Sequence, residues 1–87
     1  MNRCEAVALY KEIMNLCEDM RASAVNLIES KPNNLKATGY QVRIRAVLSN
    51  ESAQQIRSIA KKHSLAVVEE NGEVVIYKPK IIANTLP

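Results

Sequence analysis

The sequence predicts a small α+β domain of order α-β-α-β-β, in which a long N-terminal helix precedes a three-stranded mixed sheet with one crossover helix. Three observations carry that prediction. Apolar residues recur at steps of three and four from Asn2 to about Ser30, the period of an amphipathic helix. Tyr40, Val42, Ile44, Ala46 and Leu48 alternate with Gln41, Arg43 and Arg45, the period of a half-buried strand. Asn71-Gly72 divides two β-branched runs in LAVVEENGEVVIYKPK, which marks a two-residue hairpin turn whose central residues both need positive φ.

The first helix is expected over residues 2–30. Ala6, Leu9, Ile13, Leu16, Met20, Ser23 and Leu27 form its stripe, and Val7, Tyr10, Met14, Cys17, Ala24 and Ile28 widen it to about half the helical wheel. So wide a face suggests contact with a sheet and with something else, such as a second copy of the chain. The alternative is a bend or split near Asp19 to Ser23. Pro32 stops the helix, because the residue before a proline disfavours helical backbone. Residues 30–39 then read as a loop, and 39–80 as a strand–helix–hairpin unit. Ser49 or Asn50 caps the crossover helix, and Glu51 suits the positive end of its dipole. That helix runs to about His63, with Ala53, Ile56, Ile59, Ala60 and His63 on one side. A right-handed crossover with parallel strands is expected. The hairpin register pairs Val68 with Val75, Val67 with Ile76 and Ala66 with Tyr77, and leaves both hairpin faces largely apolar. Lys78-Pro79-Lys80 ends the sheet, since proline cannot donate to a ladder. Residues 81–87 form a short apolar tail.

The chain has 87 residues, so one domain with a thin core is expected. Phe and Trp are absent and there are three Tyr, which makes that core aliphatic and makes homodimerisation a natural supplement. The net charge of +3 permits an acidic partner without demanding one. Cys4 and Cys17, 13 positions apart on one helix, would sit about 20 Å from each other, too far for a disulfide. Unpaired thiols, and an N-terminus broken by charges, point to an intracellular, cytoplasmic protein without a membrane span.

Residues 39–80, through IAKKHSLAVVEENGEVVIYKPK, resemble the second half of the TusA/SirA-like sulfur carriers. There a strand, a helix ending near AKK and a hairpin with an acidic turn follow in the same order. The resemblance implies that fold for this part of the chain and, as one functional alternative, sulfur transfer at a cysteine. The family's Cys-Pro-x-Pro motif has no counterpart, because CEAV at Cys4 and CEDM at Cys17 contain no proline. Other chemistry is equally poorly provided for. His63 is the only histidine, and no CxxC or HxxxH pair suggests a metal. It reads as a packed histidine at a helix end. Neither a GxSxG element nor a glycine-rich phosphate loop occurs. No enzymatic activity and no cofactor are expected.

The leading expectation is therefore a non-enzymatic interaction or regulatory module, acting as a homodimer and open to another protein. Its interface would use Leu9, Ile13, Leu16, Met20 and Leu27. The alternative partner is nucleic acid, held by Arg43 and Arg45 on one strand face with Arg57, Lys61, Lys78 and Lys80 nearby. Arg43 and Arg45 point the same way about 7 Å apart, which suits phosphate. It equally suits Glu69, Glu70 or Glu73 across the sheet or a dimer interface, and the sequence leaves both open.

Overall fold

The computed structural model describes residues 1–17, 24–30 and 39–79. They form helix α1 (Arg3–Leu16), strands β1 (Val25–Glu29) and β2 (Tyr40–Ile44), helix α2 (Asn50–Lys62), and strands β3 (Ala66–Glu70) and β4 (Glu73–Tyr77). The α+β class is the one the sequence predicts. The long helix over 2–30 is corrected: α1 ends at Leu16, and Val25–Glu29 is a strand. Both patterns fit the same residues. Val25 and Leu27 lie two apart, as a strand requires, while Ala24, Leu27 and Ile28 continue the three-and-four spacing of the helix. The β-branched Val25 and Ile28 suit the strand, and the antiparallel partner β2 fixes that choice through a five-residue ladder from Val25↔Ile44 to Glu29↔Tyr40.

The sheet has four strands in the order β1-β2-β4-β3, not three, and every neighbouring pair is antiparallel, so it is not mixed. The crossover through α2 does join two parallel strands, β2 and β3. They are not neighbours, because β4 lies between them and opposes both. The hairpin register is the predicted one, with Val68↔Val75, Val67↔Ile76 and Ala66↔Tyr77. Asn71 and Gly72 have φ of 52° and 78°, as a type I′ turn demands.

Register assigns the faces. Val25, Leu27, Val42, Ile44, Val67, Val74 and Ile76 share one face. Ala6, Leu9, Ile13 and Cys17 from α1 and Ile56, Ile59 and Ala60 from α2 join them in one core. Both helices therefore lie on the same side. The second, largely apolar face of the hairpin receives neither helix. The apolar stripe of α1 is absorbed by its own sheet, and only Leu16 among its large apolar residues stays half exposed.

The helix ends are well capped. Asn2 accepts from the Glu5 N–H while the Glu5 side chain accepts from the Asn2 N–H, a reciprocal box that satisfies two otherwise unpaired donors. The hydrogen bond from Asn2 holds the Glu5 carboxyl below its ordinary pKa. Ser49 caps α2 by accepting from the Ser52 N–H at 3.2 Å. At the other end Ser64 donates to Lys61 O and Leu65 N–H to Ala60 O, the paired bonds that close a helix around a left-handed residue. That residue is Ser64, with φ of 57°, where glycine would carry no Cβ penalty. Ser64→Gly is expected to stabilise the fold by about 0.5–1 kcal/mol, read as a rise in the urea midpoint at unchanged slope. An unchanged or lowered midpoint would contradict this reading of the cap.

Candidate interaction surface

The helix-free face of the sheet is built by alternate residues of all four strands. In its central cross-strand row, Asn26, Arg43, Val75 and Val68 follow one another. Val75 is 2 % exposed and Gln41 7 %, and Gln41 Nε2 donates to Ser30 Oγ at 3.3 Å. Ile28 on β1 and Val68 on β3 stand at the two edges of the face, 41 % and 39 % exposed.

The arginines meet carboxylates here. Arg43 lies 3.4 Å from Glu70 and 3.5 Å from Glu73, and Arg45 lies 3.8 Å from Glu73. The antiparallel pairing of β2 with β4, together with the tight turn before β4, brings the acidic hairpin end beside the basic end of β2. Of the two partners that Arg43 and Arg45 left open, the structure shows glutamates across the sheet, Glu70 and Glu73, and Glu69 takes no part in these pairs. Arg43 and Glu73 are the more sheltered members, and the pairs involving exposed Arg45 and Glu70 are the kind that contribute little to stability.

The remaining basic candidates do not converge on this corner. Arg57 and Lys61 are exposed on α2, in the layer on the other side of the sheet. Lys78 follows β4 at the end away from the turn and lies 3.9 Å from Glu5 on α1. Lys80 lies outside the described residues. Of the apolar interface candidates, Leu9 and Ile13 are buried in the core and Leu27 packs against it. Leu16 is exposed, and Met20 lies outside the described residues. Cys17 caps the end of α1 and is buried, while Cys4 is exposed in its first turn. The two cysteines do not pair.

One cluster joins residues about 50 positions apart, with no local signal in the sequence. Glu12 on α1 accepts from Lys62 Nζ at 3.0 Å, and its other oxygen lies 2.9 Å from His63 Nε2. His63 is thus an exposed partner of α1 and not the packed helix-end residue its position suggests. The hydrogen bond to His63, followed by that to Lys62, holds the Glu12 carboxyl below its ordinary pKa against a smaller opposing effect of burial. A carboxyl with a depressed folded-state value stabilises the fold once ionised, above the ordinary range near about pH 4.3, and loses that contribution as pH falls through its folded-state value. Glu12→Gln is expected to lower stability by about 0.5–1 kcal/mol at pH 7, with the difference closing by about pH 2. Urea titrations of both proteins at the two pH values check this; a difference that persists in acid would rule out the ionised clasp.

A groove of about 800 Å³ runs between α2 and the β3–β4 hairpin. Leu48, Ala53, Ile56, Val67 and Val74 supply apolar lining, with Glu69, Glu70, Glu73 and Arg57 among its charged residues. The sequence shows no sign of it, because it depends on how far α2 reaches across the sheet. No family model matches the chain, and neither a curated protein nor a solved structure matches it.

Proposed function

We propose that the protein is a small non-enzymatic interaction module that acts as a homodimer in the cytoplasm and offers its sheet to a protein partner. One observation carries the proposal: both helices occupy the same face, so the other face is free of helix among the described residues, with Ile28 and Val68 exposed on it. The two outer edges of the sheet, on β1 and β3, also have no strand beside them among the described residues. Unpaired edges are templates for association. No helix among the described residues is long and apolar enough to cross a membrane.

This reading is favoured over nucleic-acid binding by the occupants of the basic corner. A phosphate approaching Arg43 would have to displace Glu70 and Glu73, both already within 3.5 Å. Sulfur transfer at Cys17 is disfavoured by the burial of that thiol, since thiol chemistry needs an accessible thiolate. Sedimentation over a range of concentrations tests the proposal, with a reversible monomer–dimer equilibrium as the expected result. A single monomeric species at every concentration would remove the dimer. A gel shift with mixed DNA and RNA that weakens with salt and disappears in the Arg43→Ala/Arg45→Ala double variant would transfer the surface to nucleic acid.

A further inference from the structure

We infer that β1 pairs antiparallel with β1 of a second copy about a two-fold axis through Leu27, joining two four-stranded sheets into one; this rests on the homodimer proposed above and names its contact. The ladder to β2 determines which backbone groups β1 has left. Ser30 N–H donates to Gly39 O and Arg45 N–H to Ala24 O, both at 2.8 Å. Both pairs continue the register of the strand, and hydrogen-bonded pairs alternate along an antiparallel ladder. Asn26 and Ile28 therefore turn their N–H and C=O groups toward β2. Val25, Leu27 and Glu29 turn theirs outward, where the described residues provide no strand.

The surroundings of the two sheet edges select β1 over β3. Helix α1 packs on β1 and β2, and α2 on β3. Glu12 and Leu16 of α1 meet Ile59 and Lys62 on the flank of α2. The opposite flank of α1, on the β1 side, is then Val7, Tyr10 and Met14, one row at helical spacing. All three are half-buried, and Tyr10 and Met14 pack against the core. The β3 edge is different. Glu69 stands on the strand and Arg57 beside it on α2, charges of the kind that protect an edge. β1 has a single charge, at its end, and neither proline nor lysine.

Backbone complementarity sets the register. With the axis through Leu27, Val25 pairs with Glu29 of the partner subunit, Leu27 with Leu27 of the partner subunit and Glu29 with Val25 of the partner subunit. Every outward N–H and C=O of the strand is matched. Moving the axis to Asn26 or Ile28 leaves one of the three opposite a residue beyond β1. The same register brings the two Leu27 side chains together on the helix side, below the Tyr10 and Met14 flanks. On the other face the exposed Ile28 stands opposite Asn26 of the partner subunit and diagonal to its Ile28. The two Glu29 carboxylates are about 13 Å apart along the ribbon, so they do not oppose the pairing. The two-fold axis closes the assembly at a dimer. One strand and one helix flank on each side make a contact below the standard size, so the dimer is reversible.

Proline substitution at each edge of the full-length chain tests the inference. Glu29→Pro removes an N–H that points away from β2, so the chain keeps its own ladder. It deletes two hydrogen bonds from the two-fold dimer and is expected to weaken it about ten-fold or more. Glu69→Pro makes the same change at the β3 edge, where Glu69 is outward by alternation from the Glu70↔Glu73 pair at the turn. It should leave the dissociation constant within about three-fold. A second measurement needs no proline. Asn26→Cys and Ile28→Cys chains, each also Cys4→Ser, should form disulfide-linked dimers faster when mixed than either does alone, because those positions face each other with Cα atoms about 4.5 Å apart. A dimer unaffected by Glu29→Pro, one weakened by Glu69→Pro instead, or a mixture that links no faster than the single variants would overturn this contact while leaving self-association in place. A monomeric wild-type chain would overturn both.

Discussion

Gly39→Ala is expected to destabilise the protein by about 2–4 kcal/mol. Gly39 has φ of 66°, a backbone conformation that costs a residue with a Cβ about 1–2 kcal/mol. A Cβ there would also lie 2.1 Å from the backbone oxygen of Met1, a contact no side-chain rotation relieves. Met1 is not free to retreat. Its side chain belongs to the core and its carbonyl accepts the Tyr40 N–H at 2.6 Å. Moving it would give up that hydrogen bond, worth about 1 kcal/mol, at the point where β2 begins. Gly72→Ala provides the control. Its φ is similar, yet nothing stands within 4 Å of the added carbon, so only the conformational cost of about 1–2 kcal/mol remains. Thermal unfolding of the two variants checks the difference. Equal losses would mean that the Met1 contact does not constrain the fold.

Ile44→Ala is expected to cost about 3–4 kcal/mol, within the usual range for emptying a fully buried aliphatic site. Ile44 is fully buried near the centre of the sheet, between Val25 on β1 and Val74 on β4. Two helices distant in sequence share the core it belongs to. In a domain whose whole stability is of order 5–10 kcal/mol, such a loss leaves a substantial unfolded fraction on mild heating. Ile28→Ala, on the helix-free face and 41 % exposed, should cost under about 1 kcal/mol. Chemical denaturation of both variants would show it; comparable losses would contradict the assignment of the two faces.

The parts of the fold that were legible in the sequence are those specified by short-range signals. Asn71-Gly72 dictates its turn through backbone sterics, and the residue pairs of β3 and β4 follow from it. Ser49 and the Ile56–Ile59–Ala60 spacing define α2 in the same local way. The segment 24–29 was not legible, since its apolar residues satisfy both helical and strand spacing and only the ladder to β2 decides between them. The three-stranded sheet followed from that ambiguity, because a strand read as helix cannot be counted. The Asn2-x-x-Glu5 cap is itself a capping pattern written in the sequence. For the surface, Glu70 and Glu73 opposite Arg43 and Arg45 were among the foreseeable pairings. The Glu12 clasp with Lys62 and His63 was not, because it exists only after two helices distant in sequence have docked side by side.

The placement of β4 has a consequence for how the chain is made. It is the last described strand in sequence, yet it occupies an interior position, with β2 on one side and β3 on the other. During synthesis β1 and β2 can pair early, and α2 can coil, but the hydrophobic layer between them stays incomplete until Ile76 arrives to join Val42 and Ile44. The nascent chain therefore holds sticky, half-covered strands until β4 has been translated, and this sheet closes in a late, concerted step instead of growing strand by strand in chain order.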